Sequence, residues 1–232
     1  GGAVEQRRLI DMHTALADVL ARQGCFEEIE ALYQASPPEV AAAPVSRWNH
    51  SLALLALGNY ADGWRKYEGR FDVPGHDAPR DGAALLDLAD VAGRRVLVFP
   101  EQGRGDMLQF ARYLPLLAAR GATVLVEIYP ELKPLLEAID GVSQVVTPDQ
   151  PTPPHDLLTP LLSLPAAFGT VLETIPATVP YLRVPSERLS RWTVALGARG
   201  RPRIGIAWRG SAESAARSAI TLPRSAPLLA SP

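Results

Sequence analysis

The chain has a single cysteine, Cys25, so no intramolecular disulfide can form within it. A lone thiol fits a reducing compartment, and the sequence predicts a cytoplasmic protein. Lysine and methionine are scarce, two of each in 232 residues. Arginine is abundant at 21, but the acids offset it to a formal net charge of −2, and we read the excess as codon usage. So even a balance gives no electrostatic reason to expect nucleic acid or an anionic membrane as a partner. No apolar run approaches the ~18 residues of a membrane span, and no signal peptide opens the chain. His13, His50, His76 and His155 share no ligand spacing, so no metal is expected. Ser163 lacks the glycine elbow of a hydrolase nucleophile.

What is present reads as an α/β protein. Val96-Leu97-Val98-Phe99 is a short continuous apolar run, the pattern of a strand buried on both faces of a parallel sheet. Glu101-Gln102-Gly103-Arg104-Gly105-Asp106 follows, with two glycines to turn the backbone and Asp106 placed as the N-cap of a helix. Met107, Ala111, Leu114 and Ala118 recur at helical spacing, and Gly121 precedes a second apolar run ending at Glu127. Strand, glycine turn, helix, strand opens many nucleotide- and sugar-binding domains. Ligands in such sheets bind beyond the carboxyl ends of the strands, which places Glu101 to Asp106 at a candidate site.

The first 72 residues carry an internal repeat. A shift of 34 residues superposes Ala17 on Ser51, Leu20 on Leu54, Gly24 on Gly58, Phe26 on Tyr60 and Tyr33 on Tyr67. Each unit reads as helix, glycine turn, helix, similar to a tetratricopeptide repeat, a module that stacks with neighbours and binds proteins. Residues 73–92 are rich in turn formers and read as a linker. Residues 93–185 read as a Rossmann-like domain, with strands expected at 142–146 and 156–158 and a helix from Glu131 to Ile139. Residues 186–232 read as a connecting helix capped by Ser186, with Leu189, Trp192 and Leu196 on one side, and then the start of a second sheet domain at 203–208. The chain begins at Gly1-Gly2 without methionine and ends soon after that second domain opens, so it is expected to be a piece of something longer, inactive by itself.

An ordered set of short motifs resembles a known group. These are Leu57-Gly58-Asn59-Tyr60-Ala61-Asp62-Gly63-Trp64 with Tyr67-Glu68 and Arg70; Glu101 to Asp106 with Gln109-Phe110 and Arg112-Tyr113; and Leu162-Ser163-Leu164-Pro165, Phe168-Gly169-Thr170 and Pro180-Tyr181-Leu182. Together they resemble bacterial tetratricopeptide proteins whose C-terminal part is similar to lipopolysaccharide heptosyltransferases. The resemblance implies two facing Rossmann-like domains of the GT-B type. It implies transfer of a sugar from a nucleotide-sugar donor, without a metal or other cofactor, and a protein partner on the repeats. It makes Gly105-Asp106 the match to the pair that supplies the general base, with Glu101, Gln102, Gly103, Gly105 and Gln109 on the acceptor side. Gly210, Ser211, Arg217 and Ser218 would touch the donor diphosphate.

Three alternatives stand beside that reading. Asp106 as a helix cap has a purely structural use. A dinucleotide site would use Gly103-x-Gly105 with Glu127, 22 residues beyond Gly105, as the ribose-binding acid, but its third glycine position is Leu108. A non-catalytic scaffold with a degenerate transferase-like domain is favoured by the loop 210–218, which is short and lacks the histidine and aspartate of the family it resembles.

Overall fold

The computed structural model describes residues 2–73, 80, 82–197 and 200. The chain divides into two compact units, Gly1–Ser186 and Glu187–Pro232. Gly210, Ser211, Arg217 and Ser218, the strand expected at 203–208 and His76 lie outside the described residues.

The apolar runs form the sheet they predict. Strands β1 (Arg95–Phe99), β2 (Thr123–Glu127), β3 (Val142–Val146) and β4 (Leu157–Pro160) are all parallel, in the order β3-β2-β1-β4. Val96, Leu97 and Val98 are fully buried, because a central parallel strand is covered on both faces. Val96, Val98, Val124 and Val126 face the larger core, and Leu97, Phe99, Leu125 and Leu158 the smaller one. At the sheet's lower edge Asp156 accepts the Arg95 backbone N–H at 2.8 Å. The Arg95 guanidinium and this N–H hold the Asp156 carboxyl down to about 2.

The helix expected after β1 is broken. It comprises α6 (Arg104–Phe110), a 3-10 turn over Ala111–Tyr113, and α7 (Leu114–Ala119). Pro115 explains the break, since it has no N–H for the Ala111 carbonyl and its ring crowds that group. Met107, Ala111 and Leu114 still face the core, as their spacing requires. The helix expected from Glu131 to Ile139 likewise shortens to a 3-10 turn at Pro130–Leu132 and α8 (Lys133–Leu136).

Before the sheet come α1 (Gly2–Gln23), α2 (Phe26–Gln34), α3 (Pro38–Ala41), α4 (Pro44–Ala56) and α5 (Tyr60–Tyr67), closed by a 3-10 turn at Glu68–Asp72. Gly24 and Gly58, one repeat apart, both take left-handed backbone at φ +76° and +83°, which explains why glycine recurs there. The paired positions Ala17 and Ser51, and Tyr33 and Tyr67, are all buried. The hairpins have a small core of their own at Ala17, Ile29, Tyr33 and Ala53, and their second half also joins that of the sheet. Tyr67 belongs to the main core of the sheet, Trp48, Leu55 and Trp64 pack against it, and the Trp64 ring meets Phe110 of α6 edge-on at 5.5 Å.

The segment read as a linker is also structural. Leu86 and Val91 are buried in the main core, and Ala83 bridges Leu158 alongside β4. After β4 come a 3-10 turn at Leu161–Ser163 and α9 (Leu164–Ala167). Helix α10 (Ser186–Leu196), all but its first residue in the second unit, forms where expected, with Ser186 as its first residue rather than its cap and Leu189, Trp192 and Leu196 exposed.

Within the hairpins His50 is buried between Glu30 and Lys66. Lys66 Nζ donates to Nδ1 at 3.0 Å, which leaves Nε2–H to donate to Glu30 and makes the imidazole neutral. Burial lowers the His50 pKa, and the Lys66 charge adds to this against the opposing pull of Glu30. The unfolded chain therefore binds the proton more readily than the folded one. The stability this site contributes is fully present above about pH 6.5 and is lost as pH falls through the folded value. His50→Gln keeps an N–H for Glu30 and an acceptor for Lys66. Melting curves at pH 7.5 and 5.5 should show a smaller acid-induced drop for this variant than for the wild type; equal drops would refute the assignment.

Candidate functional site

With β1 flanked by β2 on one side and β4 on the other, the chain reverses direction across the sheet between β1 and β4. The carboxyl end of that junction is where an open parallel sheet forms its crevice. Glu101 leaves β1 here and Ser163 follows β4. Between them, reaching in from the turn after α5, sits Arg70, with no exposed surface.

All five N–H donors of Arg70 are used. Nε and Nη2 grip Glu101 at 3.0 and 2.8 Å in a bidentate pair. Nη1 donates to Glu68 at 2.7 Å and to the Tyr67 carbonyl at 3.2 Å, and Nη2 donates to Ser163 Oγ at 2.9 Å. The Ser163 hydroxyl in turn donates to Glu68 at 2.8 Å, and the guanidinium lies over Phe71 at 3.9 Å and Tyr67 at 4.6 Å. Burial alone would lower the Arg70 pKa, but Glu101 and Glu68 outweigh it and hold the group above its ordinary value. Glu101, expected on the acceptor side, is instead the anchor of a buried ion cluster.

The loop that follows departs from expectation at its turn. Gln102, not a glycine, takes the left-handed backbone, at φ +56°. Gly103 has extended backbone at φ −93° and ψ 171°, and Gly105 is helical with open space where a Cβ would stand. The strain at Gln102 is held by its side-chain N–H on Tyr67 Oη and by Tyr129 Oη, which donates to the Gln102 carbonyl at 2.6 Å. Helix α6 starts at Arg104 with Gly103 at its N-cap, so Asp106 is its third residue rather than its cap. Its Oδ2 accepts the Gly103 backbone N–H at 2.9 Å, the reaching-back half of a capping box. Oδ1 takes no hydrogen bond among the described residues, and Asp106 is half-buried.

Gln109, one turn beyond Asp106 on the same helix face, is exposed and lines a cavity of about 110 Å³ with Tyr60, Trp64, Phe110 and Arg112. Arg104 points elsewhere, over Tyr129 at 5.1 Å and paired with Glu131. Glu127, the acid a dinucleotide site would need, is buried in a bidentate pair with Arg80, with Arg80 Nη1 to Oε2 at 2.8 Å and the guanidinium over Phe99 at 4.7 Å. Both oxygens of this carboxylate are thus turned to Arg80. Sequence reasoning missed Arg70, Arg80 and Arg112 as the residues that shape this end of the molecule. Arg70 and Arg112 did stand in the quoted motifs, beside Tyr67-Glu68 and Tyr113, but nothing there assigned them a role.

Among the described residues no three His, Cys, Asp or Glu side chains converge to hold a metal, and no helix is long and apolar enough to cross a membrane. The chain is similar to Protein FlbA of Caulobacter vibrioides, 38% identical over 82 residues. The match covers 34% of this chain and 13% of FlbA, so the chain spans a small part of that relative's length. No protein-family model matches the chain, and no solved structure matches it.

Proposed function

We propose that the chain is the acceptor-side part of a cytoplasmic sugar transferase of the GT-B type, fed by a nucleotide sugar and carrying tetratricopeptide-like hairpins for a protein partner. The observation that carries the reading is Asp106. It lies just past the carboxyl end of β1, with one carboxylate oxygen held by the Gly103 N–H and the other uncommitted among the described residues. A fixed, half-exposed carboxylate is what proton abstraction from an attacking sugar or protein hydroxyl requires. Gln109, Tyr60 and Trp64 then line the nearby cavity where the acceptor would rest. Gly103 and Gly105 keep that approach free of side chains. Gly210, Ser211, Arg217 and Ser218 would hold the diphosphate through backbone amides and a guanidinium.

The buried Arg70 cluster favours a second reading, a non-catalytic scaffold. It fills the sheet junction with protein and removes Glu101 from any acceptor site. The full-length protein decides between them. Calorimetric titration with uridine, guanosine, adenosine and cytidine nucleotide sugars should find one that binds with a dissociation constant in the range of about 1 μM to 1 mM, as substrates of most enzymes do. Absence of binding by all of them at millimolar concentration would leave the scaffold.

A further inference from the structure

A cavity of about 190 Å³ lies between the Ala111–Tyr113 turn and the segment 176–183, walled by Arg112, Pro115, Leu116, Pro176, Pro180 and Tyr181. Arg112 also lines the neighbouring cavity that Gln109 and Trp64 border, so this one residue borders both. Its chemistry is unlike that of the arginines around it. Arg70 and Arg80 are gripped by carboxylates, and Arg95, Arg104 and Arg183 each pair with an acid. Arg112 is half-buried, its Nε is buried without a hydrogen-bond partner, and it makes no ion pair among the described residues. The contact that orients it is the Tyr181 ring, 4.8 Å from the guanidinium carbon.

The Nε is closed to water and so to anything held in the cavity, which leaves the terminal nitrogens of the group to meet an acceptor there. Stacking on Tyr181 fixes the plane of the group, which prepares it for a bidentate partner. The other charges on the wall are Arg183 and Asp140, paired at 3.2 Å. Two guanidiniums and one carboxylate leave a net single positive charge, so the cavity suits an anion. Apart from Thr178 its remaining lining is apolar or aromatic side chain and proline ring, and a cavity of about 150 Å³ is enough to take a benzene ring. We propose that this cavity binds a small six-membered-ring oxyanion, a carboxylate or a phosphate monoester, with its acid on Arg112 and its ring against Pro115, Leu116 and Pro180. The site neither uses Asp106 nor depends on sugar transfer.

The test is a nuclear magnetic resonance titration of the whole chain, labelled with nitrogen-15 at its arginine side chains and its backbone. Benzoate, cyclohexanecarboxylate, phenyl phosphate and inorganic phosphate are added at constant ionic strength. The ring acids should shift the Arg112 Nε resonance and the Leu116 and Tyr181 amides saturably, with dissociation constants near ~1 mM, as expected of ligands this small. Whichever ring acid binds more tightly names the acid. Arg112→Lys keeps the aliphatic stem and a positive charge but loses the fork, and should weaken binding at least ~10-fold; Arg112→Gln should abolish saturation at the two amides. Asp106→Asn should bind as the wild type does. The proposal falls if no ring acid gives a saturable shift, if inorganic phosphate shifts the same resonances as strongly, or if Arg112→Lys binds unchanged.

Discussion

Arg70→Ala is expected to lower the stability of the first unit by about 3–5 kcal/mol, the cost of leaving buried carboxylates without their counter-charge. Arg70 has no exposed surface, and the Glu101 and Glu68 side chains keep only 10% and 20% of theirs, so water cannot replace the lost partner. Against a total of about 5–15 kcal/mol for a domain, that loss puts the variant near unfolding at ambient temperature. Urea denaturation monitored by far-ultraviolet circular dichroism measures it directly. Should the variant fail to fold, Arg70→Met combined with Glu68→Gln and Glu101→Gln tests the same idea from the other side. Removing all the charges together should recover most of the stability, because an uncharged replacement of similar volume avoids the stranded carboxylates. A cost below about 1 kcal/mol for Arg70→Ala, the range of an exposed ion pair, would show that the cluster is not the clamp its geometry implies.

If the proposed transferase reading holds, Asp106→Asn in the full-length protein should reduce sugar-transfer turnover by ~100-fold or more, since an amide cannot take up the acceptor's proton. Its stability should hardly change. The amide oxygen of asparagine can accept the Gly103 N–H as Asp106 Oδ2 does at 2.9 Å. Asp106→Ala removes that hydrogen bond as well, and should cost about 0.5–1.5 kcal/mol besides the activity. If Asp106 serves only the turn, the Asn variant will retain full turnover and a wild-type melting temperature, and the catalytic assignment is lost. Turnover measured at saturating donor, alongside thermal melts of both variants, separates the roles.

The parts legible in the sequence are those fixed by local rules. Val96 to Phe99 reads as a strand because a buried parallel strand is written as a short apolar run, and Val142 to Val146 because it is rich in β-branched residues; both form there. Gly24 and Gly58 announced the hairpin turns because few other residues take positive φ without cost. Helix lengths were overestimated wherever the apolar spacing ran through a proline, at Pro115 and again at Pro134, since periodicity ignores the missing N–H. The candidate site was legible in place but not in chemistry. Glu101 was expected to face a ligand; its partner Arg70 lies 31 residues earlier, and no local pattern predicts that an arginine will be buried. Two glycines drew attention to the turn that Gln102 makes, because nothing in its residue type reveals that Tyr67 and Tyr129 hold it.

The buried cluster also sets an order of events during synthesis. Arg70 and Glu68 meet Ser163 across separations of 93 and 95 residues, and closing a loop of that length costs about 4 kcal/mol in its logarithmic term alone. On a ribosome adding ~5–20 residues per second, the hairpins emerge some 5–20 s before Ser163 exists. Through that interval the hydrogen bonds to Ser163 cannot form, although Arg70 can already meet Glu101, 31 residues on. The cluster thus closes in two steps, the grip on Glu101 first and the contacts with Ser163 only after the last strand of the sheet.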